Sequence, residues 1–465
     1  MKEKDLFRSV VSLSSSSYQN TVRISSRSQL YIGELFTNWN SLDFVFIILI
    51  AVYVFRFEYL PLQDYPNWLY QGFIFNEYVF HANTFNGFFH LRPYIPPNAI
   101  STVFIGVLST FMSVFMAGKI FIFITASLLY WGTASYLILF IKDRKALISF
   151  VAFYLVFNVN FLMGFLNYCF GFGITLLVIV YFVRHDLKVS RAVGAVLFLL
   201  LYLSHFVALF LVMAFLALYA YHKKKFRLLR PLLLAIVPVI ILFLQYYFFR
   251  QSEDLNFVPY REDLYYRFHM VIHWLLSVTI PFHHYKWLLA QPPLFEGLNF
   301  LSCAITSLVI FYTFFSAWKK GIWSLELRMA LLLFIPIVLL PDYLGGLLYP
   351  SNRFVILFLL NILVLYFSER RSKFKERLTF IIVFLMVVTS YFYNLFYAYQ
   401  FDTQAASETV TLESLIQNSY AWEGTNGFEH HIFYHGITHH EILSPFRSGL
   451  FDYPVNCGGI SFENR

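Results

Sequence analysis

Apolar runs of about 18 residues or more recur along the chain, separated by short polar breaks. Such runs predict membrane-spanning helices, because backbone groups in lipid must be satisfied within their own segment. The alternation over about ten residues that marks a barrel strand is absent. The first span is read at 42–60, and a long loop then runs from 61 to 118. An apolar stretch inside that loop, 99–117, is short enough to lie in the outer interface as a juxtamembrane helix. The second span is 120–141. Two long apolar segments follow, and polar residues divide each into an ascending and a descending helix. Asn158-Val159-Asn160 splits 146–183, and Ser204-His205 splits 191–221. The remaining spans are 231–249, 298–318, 329–341, 354–368 and 378–398, for about eleven in all. The fold class expected is therefore an all-α polytopic membrane bundle.

Charge sets the sidedness. Placing every basic loop on one side assigns 24 of the 34 Lys and Arg to that side, and leaves Arg92 alone in the loop 61–118. By the positive-inside bias, the N-terminus is then cytoplasmic and the C-terminus outside. Had 99–117 crossed the bilayer, Lys142-Asp143-Arg144-Lys145 would have fallen outside. The first 40 or so residues are polar and Ser-rich without a cleavable signal pattern, so the first span reads as a retained anchor. Three regions result: a cytoplasmic segment 1–41, a membrane domain 42–398 and a non-cytoplasmic tail 399–465 that packs on the outer loops.

Composition agrees. Hydrophobic residues make up 59% and charged residues 13%, about half the charge of a soluble domain. The 57 Phe and 33 Tyr read as lipid-facing packing and interfacial belts. The net charge of +8 is confined to loops, which speaks for membrane lipids and against nucleic acid as a partner. Low Ala with abundant Phe, Ile and Lys points to an AT-rich bacterium, and so to its inner membrane. Cys169, Cys303 and Cys457 make no disulfide framework. No P-loop, dinucleotide fingerprint, nucleophile elbow or CxxC pair is present.

The candidate chemistry lies opposite the basic loops. Asp64, in Gln63-Asp64-Tyr65-Pro66-Asn67, follows the first span. Pro66 limits the backbone there and favours an extended Tyr65. A carboxylate so placed can take a proton from an acceptor hydroxyl; its plainer role is a solvated loop acid or the N-cap of a helix starting near Asn67. Arg353, in Tyr349-Pro350-Ser351-Asn352-Arg353-Phe354, is the lone cation between the clusters 319–328 and 369–377. A guanidinium there suits a phosphate or diphosphate, or an ion pair with Asp342, or lipid headgroups. His205 divides two apolar pieces and either meets a cavity or closes a helix end on a backbone carbonyl. The stretch Met163 to Tyr168, with Gly171 and Gly173, reads as close helix packing, with Asn167 as a polar contact.

Twelve of the 14 His fall on the proposed outer side, many in the tail around His430, His431, His435, His439 and His440. No zinc spacing accompanies them, so a surface or substrate-lining role outweighs a structural metal. Glu253-Asp254 and Glu262-Asp263 read as solvated, or as a second acid that would help Asp64 hold a divalent cation.

The motif at Asp64, the outer helix 99–117, the stretch Gly164 to Asn167, His205 and the late outer Arg353 together resemble the membrane glycosyltransferases of the GT-C fold. The resemblance covers roughly 42–398 as architecture. It implies a sugar taken from a polyprenyl-phosphate or polyprenyl-diphosphate carrier and passed to a glycan, lipid or protein acceptor. It also implies Asp64 as catalytic acid/base and Arg353 as a ligand of the carrier phosphate, with His205, Asn167 and Tyr65 lining the cavity. The chain departs from the family in having Glu77 as its nearest second acid, thirteen residues on, and in its short tail. Two other readings are a non-catalytic subunit of the same architecture, and a transporter. Internal repeats, which a transporter would favour, are not visible.

Overall fold

The computed structural model describes residues 41–62, 64–81, 90–91, 94–141, 144–251, 275, 293–320, 323–340, 343–344, 347–348, 350–368, 373–407 and 451–452. Contacts divide the chain into a unit Met1–Phe46 and a unit Ile47–Arg465. Helix α1, Ser41–Arg56, begins in the first and continues into the second, with Asp43 in its first turn and Arg56 in its last, as the helix dipole favours. The loop expected after it contains two helices, α2 (Tyr65–Phe80) and α3 (Ile100–Leu108), with the strand β1, His90–Leu91, between them. The nine residues of α3 cover about 14 Å, too little to cross a bilayer.

Two expectations change here. The stretch 99–117 is not one helix: α3 stops at Leu108, and Ser113 caps a new helix by accepting from the Met116 N–H. This helix, α4 (Val114–Phe140), therefore starts six residues before the expected span. Tyr65 is not extended either. It opens α2, and Pro66 sits in the first turn, where its missing N–H costs no hydrogen bond.

The divided segments fold as the polar breaks predict. Helix α5 (Lys145–Val156) gives way to the single turn α6 (Val159–Leu162) and then to α7 (Leu166–Arg184). Asn158 makes the break: its Oδ1 accepts from the N–H groups of Asn160 and Phe161, and its Nδ2 donates to Leu155 O. The second pair is α8 (Arg191–Ser204) and α9 (Phe206–His222), at 14 and 17 residues about 21 and 26 Å long. Both are shorter than a hydrocarbon core of about 30 Å.

Beyond them, the seventh expected span is bent. Leu229–Ala235 (α10) and Val237–Gln251 (α11) meet at 53°, just before Pro238, which cannot donate to the preceding turn. Then come α12 (Pro293–Lys319), α13 (Leu325–Leu339), the two-residue strands β2 (Tyr343–Leu344) and β3 (Leu347–Leu348), α14 (Asn352–Ser368), α15 (Lys373–Ser407) and β4 (Phe451–Asp452). Helix α15 runs nine residues past the expected span end. The strand β4 pairs antiparallel with β1, so part of the tail lies on the first loop.

Among the described residues, four helices are long and apolar enough to cross a membrane, or five if the bent pair is one span. The protein is thus a helical membrane protein. Its core is densest where α4 crosses α7. A Cβ at Gly132 would sit 2.5 Å from the Gly173 carbonyl oxygen, and one at Gly173 2.7 Å from the Leu128 carbonyl carbon. Small residues let these two backbones touch.

The loops sort to opposite ends. At one, Arg144 pairs with Glu376 at 2.7 Å, Lys225 pairs with Asp186, and Arg328 lies over the Tyr221 ring. At the other, the Tyr59 N–H reaches Asp402 at 2.7 Å, Tyr202 donates to Ile95 O at 3.0 Å, and Lys119 donates to Phe57 O at 2.6 Å. Replacing Gly173 with Leu should force α4 and α7 apart and cost roughly 1–3 kcal/mol. Thermal unfolding of the detergent-solubilised protein measures this, with Val196→Leu on the exposed face of α8 as the neutral control.

Candidate functional site

The end away from the basic loops is organised by the break between α6 and α7. Gly164 takes φ +74°, a left-handed conformation in which a Cβ is strained, and its own Cβ would fall 2.5 Å from the Asp64 nitrogen. The turn is thus pressed against the start of α2. Asp64 N–H donates to Met163 O at 3.1 Å, and Trp68 Nε1 donates to Gly164 O at 2.9 Å. These bonds fix the backbone on which the Asp64 carboxylate stands. Asp64 occupies the N-cap position of α2, but its side chain makes no capping hydrogen bond. It is partly exposed.

Arg353 enters from α14 on the far side of the same turn. It is only 3% exposed. Its Nη1 donates to Asn160 Oδ1 at 3.0 Å, and the guanidinium carbon lies 3.6 Å from the Phe165 ring centroid and 5.3 Å from that of Tyr168. Tyr168 in turn donates its hydroxyl to the Arg353 carbonyl. A planar, weakly hydrated cation suits such an aromatic seat better than an ammonium would.

His205 joins the group from the α8–α9 turn. It is buried, and its ring meets Tyr168 edge-on at 5.4 Å. Nδ1 accepts from the Val207 N–H at 3.1 Å, which leaves the ring proton on Nε2. So the helix-end role foreseen for His205 is real, but it binds a backbone N–H rather than a carbonyl.

The other candidates stand elsewhere. Asn167 accepts from the Ser101 N–H at 2.9 Å and donates to Asn98 O at 2.8 Å, so its amide clamps the first loop onto α7. Tyr65 is buried against Gly118, its hydroxyl 3.4 Å from Phe115 O, and anchors α2 to α4. Glu77 lies thirteen residues along α2 from Asp64, about 20 Å in a helix, and does not share its site. Asp342, the two acidic pairs of 253–263 and the His-rich tail lie outside the described residues. Among the described residues, no three His, Cys, Asp or Glu side chains gather as metal ligands would.

Sequence reading missed Asn160, Phe165, Tyr168 and Asn352 as parts of this site. Asn352 is fully buried, and neither its Oδ1 nor its Nδ2 has a hydrogen-bond partner; Arg353 Nε is likewise unpartnered. A buried amide left unsatisfied costs about 1–3 kcal/mol. Two adjacent residues at the start of α14 therefore carry buried donors without a hydrogen-bond partner. The signal was available: Asn158, Asn160 and Asn352 are amides in apolar segments, where polar groups are expensive.

Family models, curated proteins and solved structures all yield no match to this chain. If Asn352 serves a ligand rather than the fold, Asn352→Leu should leave the protein as stable as before or raise its stability by about 1–2 kcal/mol. A lowered unfolding temperature would show that the amide is a packing element.

Proposed function

We propose that this chain is a membrane glycosyltransferase of the GT-C type, acting at the end of the bundle away from its basic loops. By the positive-inside bias that end is non-cytoplasmic, in a bacterial inner membrane with about eleven spans. One observation supports this above others. An acid heading α2 and a buried guanidinium from α14, remote in sequence, are both fastened to the segment that leads into α7, Asp64 through its N–H on Met163 O and Arg353 through Asn160 and the Phe165 ring.

The chemistry such a pair supports is direct displacement at an anomeric carbon. Asp64 takes the proton from the acceptor hydroxyl as its oxygen bonds to that carbon. The bond from the anomeric carbon to the carrier phosphate oxygen breaks, and its electron pair leaves on the phosphate. Arg353 faces that developing charge, with the Asn352 amide beside it. Both act in an apolar surrounding, where charge interactions are stronger than in water. His205 holds the Tyr168 face that seats Arg353. Asn167 keeps the first loop in register. The configuration at the sugar would invert.

A second reading, a non-catalytic relative that binds a lipid or a partner, draws on the extent to which Arg353 is already held by Asn160, Phe165 and Tyr168. Transfer assays separate the two. With polyprenyl-phosphate and polyprenyl-diphosphate sugars as donors, Asp64→Asn should lower the rate about 10²–10⁴-fold. Arg353→Ala should lower it about 10²–10³-fold. Wild-type protein that transfers from none of these donors, or an Asp64→Asn variant as active as wild type, would rule the enzyme out.

A further inference from the structure

At the basic end of the bundle, some cations are taken up by the protein and others are not. Arg144 pairs with Glu376, Lys225 with Asp186, and Arg328 lies over the Tyr221 ring. Lys223, Lys224, Arg227 and Arg230 are exposed, and among the described residues none of the four meets an acid. They lie on one short segment, from the end of α9 to the first turn of α10.

Local turns hold that segment out from the bundle. The Lys224 and Lys225 N–H groups close back on Tyr221 O and Ala220 O at 3.1 and 2.8 Å, with Lys224 at φ +55°. This is the left-handed close of a helix, with lysine where glycine is usual. A single 3₁₀ turn, Phe226–Leu228, then leads into α10. Helix α10 is not needed to cross the bilayer. The 15 residues of α11 cover about 22 Å, as much as the 14 of α8. Instead α10 meets α11 at 53° and rests on the start of α8, where a Cβ at Gly194 would lie 3.1 Å from the Ala235 Cβ.

Charge gives way to hydrocarbon along α10. Arg227, Arg230 and Leu234 follow the i, i+3, i+7 spacing of one helix face. Leu233 and Leu234 are more than half exposed, and Val237 and Ile240 continue the exposed apolar surface past the bend. Leu232 and Ala235 are buried. A soluble acidic partner would match the cations but not the leucines one turn further on. A lipid leaflet matches both, phosphate first and acyl chain next.

We propose that the segment from Lys223 to Leu234 is a docking surface for anionic phospholipid in the leaflet at the basic end. Headgroup phosphates lie at Lys223, Lys224, Arg227 and Arg230, and acyl chains lie against Leu233 and Leu234. Basic loops set orientation without selecting a lipid. Four unpaired cations on one short segment do select, because each adds to the attraction of an anionic headgroup over a neutral one. The surface is at the opposite end from Asp64 and Arg353 and does not depend on the transfer reaction.

The full chain would be placed in nanodiscs of phosphatidylcholine in excess over phosphatidylglycerol, both with the same acyl chains. A photo-crosslinker replaces the exposed Phe226 as Phe226→p-benzoylphenylalanine, and the captured lipid is identified by mass spectrometry. Phosphatidylglycerol should be captured about fivefold or more above its share of the bilayer. The same crosslinker at the exposed Leu308 of α12 should capture the two lipids in bulk proportion. Lys223→Gln, Lys224→Gln, Arg227→Gln and Arg230→Gln together should bring capture at 226 down to bulk proportion. Molar salt should reduce the enrichment in the wild-type chain, which tests the charges without any substitution among them. Bulk-proportion capture at 226, equal enrichment at 308, enrichment that survives the four substitutions or capture that is indifferent to salt would each overturn the surface.

Discussion

A guanidinium held out of water needs compensation from every side, and the far end of this bundle is arranged around that need. Arg353 is buried to 3% exposure, yet it sits at the first turn of an apolar helix. Burying a charge without partners costs several kcal/mol. The fold answers with an amide oxygen from α6, an aromatic face from the Phe165 turn and a second face from Tyr168. Each of these groups is placed by the break between α5 and α7. Asn158 stops one helix, Gly164 reverses the chain with a positive φ, and the same reversal holds the backbone of Asp64.

How far the sequence discloses this depends on whether a feature is written in polarity or in shape. The breaks at Asn158 and at Ser204-His205 are polar residues inside apolar runs, and they are visible without a structure. The gathering of basic loops at one end is likewise written in charge. The start of α4 is not, because 99–117 is apolar throughout and only Ser113 marks the new helix. Helix α2 is hidden for the opposite reason. Its sequence mixes Trp, Tyr, Phe, Gln and Asn without a clear stripe, since it packs on protein at several faces. Pro66 there looks like a loop residue, although at the first turn of a helix it is compatible with helical geometry.

The site shows the same division. Asp64, Arg353 and His205 stand out as ionisable groups beside apolar runs; the fold sets Arg353 and His205 on the Tyr168 ring and fastens the Asp64 backbone to Met163 O. Asn167 and Tyr65 stand out for similar reasons but are committed to backbone partners that sequence cannot reveal. Glu77 fails on distance, which becomes calculable only once α2 is known to be a helix. Asn352 passes unnoticed beside Arg353, because a lone amide next to a charge reads as a helix start. Only the packed structure shows that its side-chain amide has no hydrogen-bond partner.

The short hairpin α8–α9 explains why the first loop belongs to the core. At about 21 and 26 Å, these helices do not fill the thickness that α4 and α7 occupy. The shortfall leaves room above His205 and Tyr202. The chain from Tyr94 to Asn98 occupies part of it, with Ile95 O accepting from Tyr202 and Asn98 O accepting from Asn167. Helix α3 follows and is buried at Ser101, Thr102, Ile105 and Gly106. A loop seated so deeply is a wall of the bundle, not a cover laid over it. At the turn of this hairpin His205 meets the Tyr168 ring, which also faces Arg353. Two polar residues in an apolar run thus end α8 at the level where the first loop packs, with Tyr202 bonded to it three residues before the turn.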